Sequence, residues 1–161
     1  MPASNVEIKS VVLSDLAEET EYLADGNLEV SLSGTIELLI NDTGVLPTAG
    51  NVKIDSIYFA LDEYGKLDIM DSISLSLGIT PVFGIVKKER QFAVSAKSGD
   101  ESEDNMVDLL IEVSNLACIG EPMPIYVDYT VNGLLSSASY EEQQVEVKLT
   151  DKATGDICEG L

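Results

Sequence analysis

A strict two-residue alternation of apolar and polar side chains is what most limits how this chain can fold. In SISLSLGI (72–79), Ile73, Leu75, Leu77 and Ile79 fall on one face and Ser72, Ser74, Ser76 and Gly78 on the other. Successive side chains of a strand point to opposite faces, so the pattern describes a strand with one buried face. It recurs in NLEVSLSG (27–34), with Leu28, Val30 and Leu32 inward, and in QFAVSAKS (91–98), with Phe92, Val94 and Ala96. PIYVDYTV (124–131) aligns Ile125, Val127, Tyr129 and Val131, and QVEVKLT (144–150) aligns Val145, Val147 and Leu149. MVDLLIEV (106–113) reads the same way, with Leu110 out of phase. Strands of this kind must lay their apolar faces against a second layer.

The punctuation between the runs suits β-turns. Val-Asn-Gly-Leu (131–134) predicts a two-residue hairpin turn, because Asn and Gly tolerate the positive φ it demands. Asp-Glu-Tyr-Gly-Lys (62–66) predicts a longer hairpin with Gly65 left-handed, and Ala-Asp-Gly-Asn (24–27) a third. About eight or nine strands result, at the spacing of a sandwich or barrel. Leu16, Ala17, Thr20, Leu23 and Ala24 follow helical spacing after Ser14, so a helical turn or an irregular crossover is expected there. SGDESEDN (98–105) reads as a mobile acidic loop. No linker divides residues 1–161, and half the chain would make a marginal core, so one domain is expected.

Composition narrows the chemistry. The chain is 45% hydrophobic but only 6% aromatic and has no Trp, so its core must be aliphatic. Nine basic residues against 29 acidic ones leave a net charge of −20, which opposes binding to nucleic acid or an anionic membrane. Histidine is absent, which removes the commonest general base and the usual zinc or copper ligand. Cys118 has no histidine to activate it, and a glycosidase would need a placed carboxylate pair that nothing in the sequence marks. A non-enzymatic role is expected, with no obligatory cofactor. Cys118 and Cys158 form no CxxC; they read as two separate thiols, or as a pair tying down the C-terminal tail in an oxidising compartment. MPASNVEIKS carries no signal-peptide pattern, and no apolar run reaches membrane-span length.

Residues 28–68, LEVSLSGTIELLINDTGVLPTAGNVKIDSIYFALDEYGKLD, resemble CARDB, the cell-adhesion-related domain of bacteria. Asn41, Thr43 and Gly44 match its turn, Thr48, Ala49 and Gly50 its small-residue loop, and Asp62 to Gly65 its acidic hairpin. DLLIEVSNLACIGEPMPIYVDYTVNGLLSSAS (108–139) resembles the central part of the late-embryogenesis-abundant water-stress domain, although Asn115 is followed by Leu116 rather than by that family's proline. Both resemblances imply a β-sandwich and neither implies a catalytic residue. The expected fold class is all-β, an immunoglobulin-like antiparallel β-sandwich with at most one short helix.

Two groups of residues carry candidate chemistry. Asp42 in Asn-Asp-Thr-Gly, together with Asp62, Asp68 and Asp71 near the acidic hairpin, offers oxygen ligands to calcium. The same residues suit ordinary turns and solvated tips, and no EF-hand spacing is present. Lys87, Lys88 and Arg90 concentrate a third of the positive charge in an otherwise anionic chain. They suit a solvated strand end, or a contact with an acidic surface on another copy of the protein. The expectation is therefore a structural or interaction module that assembles with itself, in a virion tail or capsid or in a surface filament. A calcium- or carbohydrate-binding adhesion module acting through its acidic loops is the alternative.

Overall fold

The computed structural model describes residues 6–42, 48–61, 63–70, 73–80, 85–99, 101–132 and 137–160. The chain is mostly strand, arranged as two sheets around one aliphatic core. The first sheet holds β1 (Val6–Tyr22), β2 (Leu28–Asp42), β6 (Ile85–Lys97), β9 (Glu146–Leu149) and the short β10 (Thr154–Gly155). The second holds β3 (Thr48–Leu61), β4 (Gly65–Met70), β5 (Ile73–Thr80), β7 (Ile125–Asn132) and β8 (Ser137–Gln144). Pairing is antiparallel except where β9 and β10 run parallel to β1. Since β9 and β10 share one edge of β1, and β4 and β5 one edge of β3, each sheet is four strands wide. One edge of the first sheet is β6 and the other is shared by β9 and β10; one edge of the second is β8 and the other is shared by β4 and β5.

Period two places the core where the alternation predicts. Val30 and Leu32 of β2 are buried, as are Ile125, Val127, Tyr129 and Val131 of β7, Phe92 and Ala96 of β6, and Val145 and Val147. The hairpin at Gly65 forms with φ +84°, and the turn before Asn27 closes through Leu23 N–H to the Asn27 carbonyl at 2.8 Å. The expected Asn-Gly turn differs. Val131 pairs with Ala138 and Asn132 with Ser137, so Asn132 belongs to β7 rather than to a two-residue turn. Residues 133–136 lie outside the described residues. Residues Asn41 and Asp42 finish β2, and the next strand, β3, lies in the other sheet. Thr43 and Gly44 lie outside the described residues.

Three expectations about irregular segments are corrected. Residues 14–24 are not helical, since β1 runs through them as far as Tyr22. Buried positions there run Val11, Leu13, then Leu16, Glu18. The one-residue slip falls at a β-bulge between Ser14 and Ala17, where Asp15 takes φ +53°, and that slip imitates helical spacing. Residues 106–113 are not a strand, and 98–105 are not wholly a loop. Residues 101–105 and 106–113 belong to α1 (Glu101–Ile119). Val107, Leu110, Val113, Ser114 and Ala117 share its buried face at helical intervals, and Leu109 widens the stripe. Of the acidic residues in that segment, Glu101, Glu103 and Asp104 fall in its first turn, where the helix dipole favours negative charge, and Asp104 accepts the N–H of Gly99 at 3.0 Å. Gly120, at φ +79°, ends the helix. Its N–H bonds to Ala117 and that of Glu121 to Leu116, which satisfies the last carbonyls.

The helix lies against β2 and β6 of one sheet and β3 and β4 of the other. The reading of Cys118 and Cys158 as separate thiols is also corrected: they form a disulfide, with Cα atoms 5.2 Å apart. That bond joins the end of α1 to α2 (Asp156–Glu159), a single turn near the C-terminus.

Candidate interaction surface

The cationic cluster sits on β6, at the edge of its sheet, and the strand's pleat divides it. Lys88 pairs with Leu38 and Arg90 with Ile36, both partners fully buried, so these two cations stand on the core side of the sheet. Lys87 pairs with Leu39 and stands on the outer side. Inward-facing charges on an edge strand obstruct indiscriminate strand addition. The long stems cover apolar neighbours while the heads reach water: Arg90 is exposed and Lys88 half-buried. Arg90 donates from Nη1 to the Glu89 carbonyl at 2.8 Å.

β8, an edge strand of the second sheet, has the reverse charge. Its sequence SASYEEQQ is exposed at nearly every position. Tyr129 pairs with Tyr140 and Val127 with Gln143, so Glu141 and Glu142 together face Asp128 in a bulge, with Glu142 at φ +53°. The Asp128 carboxylate holds this bulge by accepting the Glu142 N–H at 2.7 Å. It also accepts the Tyr58 hydroxyl at 3.3 Å, while Ser56 Oγ lies at the long limit of 3.5 Å.

Around Asp128 the outward face of the second sheet carries a network that sequence reasoning missed. Tyr58 is only 2% exposed although it alternates with the inward Ile57 and Phe59. Tyr126 stacks beside it, with ring centroids 5.8 Å apart. The Lys66 ammonium lies 4.8 Å from the Tyr58 ring centroid and pairs with Glu142 Oε1 at 3.1 Å. Burial, and after it the charge of Asp128, pushes the Tyr58 hydroxyl above its ordinary pKa, so it stays a neutral donor. The hydrogen bond to Glu142 is the first cause that pushes the Lys66 ammonium up in turn. One signal was available: Tyr58 and Tyr126 occupy the polar phase of DSIYFAL and PIYVDYTV, where a large ring must find cover from outside. Farther along this face Thr130 Oγ1 donates to Asp55 Oδ2 at 3.0 Å.

The four calcium candidates are not drawn together. Asp42 ends β2 in the first sheet, and Asp68 is an exposed residue of β4 in the second. Asp62 and Asp71 lie outside the described residues. Asp68 does share an open cleft of about 500 Å³ with Asp55, Ser56, Met70 and Val94. Among the described residues, no group of three or more Cys, Asp or Glu side chains could hold a metal ion. No helix of the described residues is long and apolar enough to cross a membrane.

No protein-family model matches the chain, and no curated protein matches its sequence.

Proposed function

We propose that the protein is a non-enzymatic structural module that associates head to tail with further copies of itself, as a subunit of a virion or a surface filament. The observation carrying this reading is the opposite charge of two edge strands, one from each sheet. Lys87, Lys88 and Arg90 lie on β6, while Glu141 and Glu142 lie on β8. Two β6 edges repel each other, and so do two β8 edges, so charge opposes a symmetric dimer. A β6 edge against a β8 edge is attractive, and each can complete the other's main-chain hydrogen bonds. Because such a contact joins different surfaces, it repeats from copy to copy and yields a ring or a filament.

Light scattering over rising concentration, with electron microscopy of the product, tests the proposal. Wild type should form species heavier than a monomer. Replacing Lys87, Lys88 and Arg90 together by Glu should leave monomers, as should Glu141→Lys with Glu142→Lys. Mixing the two variants should restore a complex, since one then offers an anionic β6 and the other a cationic β8. A wild type that stays monomeric at every concentration removes the proposal.

An adhesion module of the CARDB kind is the second reading, with calcium or carbohydrate held by acidic groups. It is favoured by Asp55 and Asp68 lining one cleft. A ligand that binds only the native state raises stability, so millimolar calcium should raise the melting midpoint if this reading holds. An unmoved midpoint removes its calcium form.

A further inference from the structure

We propose that the C-terminal segment Thr154–Glu159 is a redox-gated clasp, which covers part of the β1 edge and leaves it when the Cys118–Cys158 disulfide is reduced. β1 is 17 residues long, yet along the edge away from β2 it is paired at two places only among the described residues. β9 covers Ser10 to Leu13, and β10 covers Ala17 and Glu18. β10 runs directly into α2, a single turn with no fully buried residue. A helix of one turn does not persist by itself in water, so its attachments decide whether it stays.

Besides the packing of the partly buried Ile157 on the core, three attachments tie α2 to the body. Ile157 N–H donates to Glu18 Oε2 at 2.8 Å, Thr20 N–H donates to Asp156 Oδ2 at 2.9 Å, and Cys158 is bonded to Cys118 of α1. Glu18 is only 4% exposed and also accepts the Thr20 hydroxyl, so its carboxylate is built into the seat of the clasp. Gly155, at φ +143°, makes the approach possible. A Cβ there would lie 2.1 Å from the Glu18 carbonyl oxygen. Of the three ties only the disulfide is covalent, and both of its cysteines are half-buried rather than sealed.

A dithiol reductant opens the clasp by exchange. Its two thiols deliver two electrons and two protons, the Cys118–Cys158 bond breaks to two thiols, and the reductant closes to its own disulfide. Of the two hydrogen bonds left, that of Thr20 to Asp156 is exposed and that of Ile157 to Glu18 part-buried, and once α2 lifts water reaches the groups of both. Release of α2 and β10 frees the backbone of Ala17 and Glu18 and extends an open edge toward Tyr22, which is 79% exposed. Such an edge accepts an added strand.

Amide hydrogen exchange followed by NMR, with and without dithiothreitol, tests the gate on the full chain. The Thr20 and Ile157 amides report the clasp, because each donates to a group on the other side of it. Reduction should speed exchange at both by about tenfold or more while β3 and β7 keep their protection. The variant Cys118→Ser with Cys158→Ser should exchange fast at the same amides and ignore the reductant. Unchanged protection at Thr20 and Ile157 after both thiols are titrated overturns the proposal. Acceleration spread equally over β3 and β7 overturns it too, since the bond would then be a global staple.

Discussion

Across the β8 bulge, the backbone N–H of Glu142 donates to the Asp128 carboxylate at 2.7 Å, so one side chain of β7 sets the kink of the neighbouring edge strand. The same carboxylate receives the hydroxyl of the buried Tyr58. The shape of the anionic edge is thereby tied to the packing of the sheet's outer face.

Replacing Asp128 with Ala should therefore cost about 2 kcal/mol, because it leaves a hydroxyl and a backbone donor without their acceptor. Asp128→Asn keeps one acceptor oxygen and should cost less. Urea denaturation of the three proteins reads the difference. Equal stability of wild type and Asp128→Ala would show that water serves the bulge as well as the carboxylate does.

Stability should fall in alkali. Burial is the first cause that raises the tyrosines at 58 and 129 above the ordinary value of 10.0. Below that value both states hold the phenolic protons and the stabilisation is complete. Above it the unfolded chain releases protons that the folded chain retains, and the stabilisation is lost as pH rises through the folded-state values. Tyr58→Phe should make the decline above about pH 10 shallower. Denaturant midpoints measured from pH 8 upward check this.

Gly34→Ala should destabilise the first sheet. A Cβ at this position would lie 2.7 Å from Leu16 Cδ2 and 3.1 Å from the Ser14 carbonyl oxygen, where the β1 bulge presses against β2. Overpacking of this kind costs about 1–3 kcal/mol. A companion Leu16→Ala change makes room and should recover part of the clash penalty in a double-mutant cycle.

Ser114→Ala should be neutral or stabilising. Ser114 is fully buried on α1, and its hydroxyl has no hydrogen-bond partner among the described residues. Removing an unsatisfied buried hydroxyl should raise the unfolding free energy by up to about 1 kcal/mol. A lower melting temperature would show that the hydroxyl has a partner after all.

Much of this architecture is written locally. Ile125, Val127, Tyr129 and Val131 alternate in the sequence and are buried in the same order, because each strand decides its faces residue by residue. The segments misread are those whose period is ambiguous. Val107, Leu109, Ile111 and Val113 satisfy a period of two, while Val107, Leu110, Ser114 and Ala117 satisfy 3.6; contact with both sheets goes with the second. At β1 the reverse occurred, since a bulge shifts the phase by one residue and a shifted strand imitates a helix. The candidate surface was half legible. Lys87, Lys88 and Arg90 were visible as a cluster, but nothing local says that they occupy an edge, or that Asp128, Tyr58 and Glu142 meet across three strands.

By itself, then, the sequence determined strands with one apolar face, an aliphatic core, a strong negative charge and the lack of histidine chemistry. These are properties of single residues and their nearest neighbours. Tertiary structure alone decided which strands lie outermost, which face each cation of β6 adopts, and that cysteines 40 positions apart are bonded. Those outcomes depend on pairings between distant segments, whose energies belong to two stretches of chain at once and so are written in neither.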